Sequence, residues 1–174
     1  LDVQKLGGIF QVGLSGTNLV KSSGLTSKRG IVGGGWAGGI RRYSGKLEVR
    51  NCVFEQNYCN GGVIDARGGA SPTDYSIIEP AKTLIVDCVF RNNNAENFAG
   101  VLGVTAIRCL FYNNTGWNNP VVIGASLATN CTAYNNTGGV LSNPWTTGGA
   151  TASTLVNCIL WGNSGYNGQQ IDGT

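Results

Sequence analysis

The chain has 174 residues, a formal net charge of +3 and only 12% charged residues. A chain of this length can bury roughly 70% of its unfolded surface, so a true core is within reach. No basic run and no Lys/Arg face interleaved with aromatics is present, which argues against a nucleic-acid partner, and no apolar stretch approaches the roughly 20 residues of a membrane-spanning helix. There are 28 Gly and many Asn, the residues that tolerate left-handed backbone, and apolar residues come in short runs between Gly/Asn/Ser/Thr clusters. That is the pattern of many short strands and frequent turns. The sequence holds no Met and does not begin with a signal peptide, so it is expected to be a processed product or a piece of a longer chain.

Residues 1–45 are the less regular part. Gly7-Gly8-Ile9-Phe10-Gln11-Val12 and Ile31-Val32-Gly33-Gly34-Gly35 read as one or two degenerate coils, and Gly38-Gly39-Ile40 matches a small-small-apolar element that recurs later. Residues 46–174 then carry five copies of one pattern: Cys, any residue, an apolar residue, two more, and Asn. The copies are Cys52 to Asn57, Cys88 to Asn93, Cys109 to Asn114, Cys131 to Asn136 and Cys158 to Asn163, at Cys-to-Cys steps of 36, 21, 22 and 27 residues. Three residues before each Cys stands Val49, Ile85, Ala106, Ala128 or Leu155. Further on comes the small-then-apolar element: Gly62-Val63-Ile64, Gly100-Val101-Leu102, Val121-Val122-Ile123, Gly139-Val140-Leu141 and Gln170-Ile171. Each repeat thus predicts two or three short strands, with loop insertions near Ala66 to Ala81 and Asn143 to Ala152.

A lone coil of this size cannot bury its apolar side chains, whereas stacked coils can, each pairing its backbone with its neighbours. The expected fold is all-β: a right-handed, single-stranded parallel β-helix, or solenoid. At the parallel strand spacing of about 4.8 Å, five coils rise roughly 24 Å. Equivalent residues then stand over one another. The columns predict three inward ladders: Cys; Phe54, Phe90, Phe111, Ala133 and Leu160; and Asn. The ladder Asn is expected at a turn, in the left-handed region, bonded to the Asn above and below. Replacing Asn114 by Ala is expected to cost roughly 1 to 3 kcal/mol.

These motifs resemble the right-handed parallel β-helix repeats of bacterial surface proteins. Phe54 to Asn57, Phe90 to Asn93 and Phe111 to Asn114 match the Phe-x-x-Asn motif of the chlamydial polymorphic outer-membrane proteins. Gly61-Gly62-Val63-Ile64 and Gly138-Gly139-Val140-Leu141 approach their Gly-Gly-Ala-Ile motif. The stretch from Asn157 to Asn163 also looks like the last coil of β-helix proteins of Bacteroidetes-type surface proteins. The resemblance covers about residues 46–174 and implies a fold; pectate-lyase-like enzymes share that fold, so it does not choose a function.

The side chains that could carry chemistry are few. Five of the six Cys fill one repeat column as small hydrophobes, and with no CxxC spacing and no His neither a zinc nor a haem motif is supported. Cys59 stands outside the column. There are nine acids, where a β-helix hydrolase needs two or three clustered carboxylates. Asp87 is expected to pair with Arg108 and Glu55 with Arg91, while Asp65 and Asp74 with Arg67 are the remaining catalytic candidate. Asn113-Asn114-Thr115, Asn130-Cys131-Thr132 and Asn135-Asn136-Thr137 fit the N-glycosylation pattern, as by-products of the repeat.

The column three residues after each Cys reads Glu55, Arg91, Tyr112, Tyr134, Trp161 and points outward by alternation. Tyr112, Tyr134 and Trp161 form a candidate aromatic platform for sugar rings, with Trp117 and Trp145 able to extend or cover it. The functional expectation is a non-enzymatic, extracellular stalk or adhesin segment of a cell-surface or secreted bacterial protein. It would need no cofactor or metal, would bind a glycan or other surface ligand, and would be continued by further coils or an anchor. The alternatives are a polysaccharide lyase or glycoside hydrolase of pectate-lyase-like fold, and a phage tail-fibre or tailspike piece.

Overall fold

Stacking of the repeats produces a parallel β-helix. The computed structural model describes residues 10–12, 19–32, 37–66, 78–117, 122–139, 147–151, 153–165 and 170–172. Calls that rest on Arg67, Asp74, Val121, Val140, Leu141, Trp145, Gly7–Ile9, Gly33–Gly35 and most of both insertions lie outside them.

Every strand pair is parallel and joins one coil to the next. The strands fall on four faces. Face one stacks Leu19–Ser23, Lys46–Arg50, Thr83–Val86, Thr105–Ile107, Leu127–Thr129 and Thr154–Val156. Face two stacks Thr26–Lys28, Val53–Glu55, Val89–Arg91, Leu110–Tyr112, Thr132–Tyr134 and Ile159–Trp161. Face three is short: Ile31–Val32, Tyr58–Cys59, Asn94–Ala95 and Thr115–Gly116, prolonged by single bridges through Thr137 to Ser164. Face four runs from Phe10–Val12 through Ile40–Arg42, Gly62–Asp65, Phe98–Leu102, Ile123–Gly124 and Ala150–Thr151 to Ile171–Asp172. The described residues give six successive coils, within 19–42, 46–65, 83–102, 105–124, 127–151 and 154–172, preceded on face four by Phe10–Val12.

The columns set the register. Val49, Ile85, Ala106, Ala128 and Leu155 are successive Cα partners, and all but the half-buried Leu155 are shut off from solvent. The Phe column is likewise in register, and its rings stack at 4.9 Å between Phe54 and Phe90 and again between Phe90 and Phe111. That distance is the spacing of the strands themselves. Close stacking also explains one glycine: a Cβ on Gly100 would stand 2.1 Å from the Val122 carbonyl oxygen of the next coil, so only Gly lets the two backbones approach.

The first coil keeps this register without keeping the consensus. Leu25, Ser27 and Gly30 occupy the Cys, Phe and Asn positions, and Thr26, Ser27 and Lys28 pair with Val53, Phe54 and Glu55. The turns differ from expectation in one respect. The ladder Asn are not the left-handed residues; the residue before each is, at Gln56, Asn92, Asn113, Asn135 and Gly162, with φ between 52° and 62°. A second left-handed set precedes each Cys, at Asn51, Asp87, Arg108, Asn130 and Asn157. One residue bends the chain at each corner and the next aims its side chain into the core, so the two tasks fall on neighbouring positions.

Candidate functional site

Three corners of the coil are sealed by side-chain ladders. In the Asn ladder, Asn57, Asn93, Asn114, Asn136 and Asn163 are buried. Each donates its backbone N–H and its Nδ2 to the Oδ1 of the Asn in the next coil. For Asn93 to Asn114 both distances are 3.0 Å, and for Asn114 to Asn136 they are 3.0 and 2.9 Å. The second Nδ2 proton goes back to the carbonyl of the preceding coil, as in Asn114 to Phe90 at 3.0 Å. Every polar atom of the amide is thereby used. At the last coil Gln170 supplies the missing acceptor: its Oε1 takes the Asn163 N–H at 3.1 Å and Nδ2 at 3.0 Å, and its Nε2 donates to the Asn163 carbonyl.

The Cys column does more than fill space. Each thiol donates to the carbonyl two residues earlier, at 3.3 Å for Cys88 to Val86 and 3.4 Å for Cys131 to Thr129. The thiols of Cys88 and Cys131 accept the N–H of Cys52 and Cys109, each at 3.4 Å. A hydroxyl ladder repeats this at another corner. Val104 N–H donates to Ser126 Oγ at 3.1 Å, Ser126 N–H donates to Ser153 Oγ at 3.1 Å, and each Oγ donates to the carbonyl two residues back. The signal for it is Val, Ser, Ser standing five positions before Cys109, Cys131 and Cys158.

The six Cys are free thiols. Burial pushes the Cys59 thiol up to about 12, and Cys158, half-buried at the last coil, is also raised by burial. Cys52, Cys59, Cys88, Cys109 and Cys131 are buried beyond a reagent's reach, so the folded chain should resist alkylation. In a native thiol count with a maleimide or disulfide reagent, Cys158 should react slowly, and Cys52, Cys59, Cys88, Cys109 and Cys131 only as the chain unfolds. Rapid labelling of two or more thiols in the native state would contradict the inward ladder.

The carboxylates of Glu48, Glu55, Asp65, Glu79 and Asp87 are engaged by cations rather than by one another. Arg108 holds Asp87 through two bonds of 2.7 and 2.8 Å, as its column position implied. Glu55 lies between Lys28 at 2.9 Å and Arg91 at 2.6 Å. Glu79 meets Lys82 at 2.6 Å and Arg42 at 3.6 Å. Hydrogen bonds from these cations hold Asp87, Glu55 and Glu79 below the usual carboxylate range, the opposite of what a general acid needs at neutral pH. Asp65 is fully buried and paired with buried Arg41 at 3.2 Å, and the Arg41 guanidinium lies 4.8 Å over the Tyr43 ring. Asp65 therefore has a structural partner in the core. Among the described residues no group of three or more His, Cys, Asp or Glu is placed to hold a metal ion, and no helix is long and apolar enough to cross a membrane.

On face two the outward column runs Lys28, Glu55, Arg91, Tyr112, Tyr134, Trp161 in unbroken register. Its first half is an ion-pair ladder that ends where Arg91 Nη1 donates to Tyr112 Oη at 3.2 Å. Its second half is aromatic. Tyr112 and Tyr134 stack with centroids 5.2 Å apart and planes within 4°. Each Tyr therefore covers a face of the other and turns its edge outward. Trp161 is 71% exposed and has ring face to offer. Trp117 stands past the Asn turn, beyond Thr115–Gly116 of face three, where its Nε1 donates to Asn94 Oδ1 at 2.9 Å; it extends face three rather than this strip.

The charges are distributed unevenly along the chain. All the Lys and Arg lie at or before Arg108, and from Cys109 to Ile171 there is no Asp, Glu, Lys or Arg at all. The last three coils, residues 105–172, thus carry formal charge only at Arg108 and Asp172.

Fold and surface together define a parallel β-helix repeat protein. No protein-family model, curated protein or solved structure matches the chain.

Proposed function

We propose that this chain is a rigid, non-enzymatic β-helical stalk or adhesin segment of a secreted or cell-surface bacterial protein, and that its aromatic end contacts carbohydrate. The observation that carries the reading is the in-register column Tyr112, Tyr134, Trp161, with Trp161 exposed. An aromatic side chain offers large contact area at low entropic cost, and its ring face suits the C–H face of a sugar. Three corner ladders lend the rod stiffness, because no coil can shift without breaking buried hydrogen bonds on both sides. The Phe-x-x-Asn and Gly-Gly motifs support kinship with surface β-helix repeats.

The test is a glycan array probed with the wild type, with Trp161→Ala and with Tyr112→Ala/Tyr134→Ala. Wild type should bind, and Trp161→Ala should weaken binding at least tenfold, about 1.4 kcal/mol. The tyrosine pair should act less strongly, through loss of support. Wild-type binding left intact by all three changes would overturn the reading.

A further inference from the structure

We infer that the ligand of this surface is an extended, uncharged polysaccharide chain lying along the helix axis and held by two adjoining faces of coils four to six. The inference rests on the carbohydrate reading above and adds the class of ligand and a second contact face.

Three observations carry it. The first is charge. Acidic glycans are recognised by charge-assisted and bidentate bonds from Arg and Lys. None stands between Cys109 and Ile171, and those that border the surface, Lys82, Arg91 and Arg108, are engaged by Glu79, Glu55 and Asp87. The second is the outward side of face one. Thr105, Leu127 and Thr154 form one column and Ile107, Thr129 and Val156 the other, all in register. Hydroxyl and alkyl groups alternate both along the strands and along the axis, a checkerboard on a parallel sheet. Leu127 is 38% exposed and Val156 45%. The 3-10 turn Pro80–Lys82 bounds the patch at coil four, where Thr105 Oγ1 donates to the Pro80 carbonyl at 3.0 Å. The third is continuity. Only the corner residues Arg108, Asn130 and Asn157 separate this patch from Leu110, Thr132 and Ile159 and the aromatic column on face two.

A pyranose chain has the matching chemistry. Its C–H faces pack on alkyl and aromatic groups, and its hydroxyls pair with Thr and Tyr hydroxyls. The columns repeat every coil, about 4.8 Å apart. A repeating polymer therefore meets a repeating row of weak contacts, and their sum grows with the length engaged.

The experiment measures binding of the full chain to particles of cellulose and chitin, and to immobilised polygalacturonate, at low and high salt. Neutral polymer should be bound with no loss at high salt, since no ion pair is screened, and soluble oligosaccharide competitors should gain potency with length. Leu127→Asp should weaken binding at least tenfold while circular dichroism and Tm stay as in the wild type; Thr129→Lys is the second variant should the first misfold. Preference for polygalacturonate, or loss of binding at high salt, would overturn the ligand class. Wild-type affinity in both face-one variants alongside lost binding in Trp161→Ala would overturn this inference and leave the aromatic site standing. If no glycan is bound in any form, both readings fail. If sedimentation shows a dimer that Leu127→Asp dissociates, the face belongs to a second copy and the inference fails.

Discussion

Asn114→Ala is expected to destabilise the chain by about 3 kcal/mol, because four bonds end on this one buried amide. Asn93 N–H and Nδ2 lose their shared acceptor, the Phe90 carbonyl loses its donor, and Asn136 Oδ1 loses one of its two. Nothing can enter to replace them, since the neighbouring coils remain stacked above and below. In a chain of this size the loss corresponds to a fall in Tm of about 6–12 °C. Asn114→Asp tests the same slot by pH. A carboxylate there would be buried without a cation, so its folded pKa would rise above the unfolded value of about 3.9. Such a group leaves stability intact below the unfolded pKa and removes it as pH rises through the folded pKa. Asn114→Asp should accordingly be most stable in acid and lose stability towards neutrality, a trend absent from Asn114→Ala. A Tm unchanged in Asn114→Ala would sink the inward ladder.

Asp65→Ala should cost about 3–5 kcal/mol, the penalty for removing one member of a buried ion pair. Asp65 is wholly buried on face four and Arg41 nearly so, and they stand on adjacent coils as direct Cα partners. Without Asp65 the Arg41 guanidinium keeps its place in the core and loses the carboxylate it bonds at 3.2 Å. The double change Arg41→Met/Asp65→Leu removes both charges and should recover most of the loss. Denaturant titrations of the single and double variants check this. A single variant as stable as the wild type would show that the pair is open to water.

The three inward columns were legible because stacking turns a sequence period into a physical row. Cys88, Phe90 and Asn93 stand where the spacing put them, and the pairing of Asp87 with Arg108 followed from their shared column. The first coil was harder to read. Leu25, Ser27 and Gly30 share no side-chain chemistry with Cys, Phe and Asn, yet the backbone demand persists: Gly30 N–H donates to Asn57 Oδ1 at 2.9 Å. Position is imposed by the neighbouring coil, and identity is only one way of meeting it. The hydroxyl ladder was missed for a related reason. Ser126 and Ser153 are two residues in a column whose other member is Val104, too few to stand out as a repeat. On the aromatic strip the sequence gives the column but not the ring orientation, which follows from the axial stacking of Tyr112 on Tyr134.

The Asn ladder also has a sense. Each side-chain carbonyl faces the coil before it, and those of Asn93, Asn114, Asn136 and Asn163 each receive two N–H groups from that side. The amide dipoles are therefore aligned head to tail along the axis, and neighbours in such a row polarise one another. The two ends of the row are chemically unlike: one offers an acceptor, met by Gly30 and Ser27, and the other offers donors, met by Gln170. A rod built this way is a directed object, like a row of bar magnets. An added coil fits at either end only in the parallel sense; a coil entering upside down would set carbonyl against carbonyl at one end and N–H against N–H at the other.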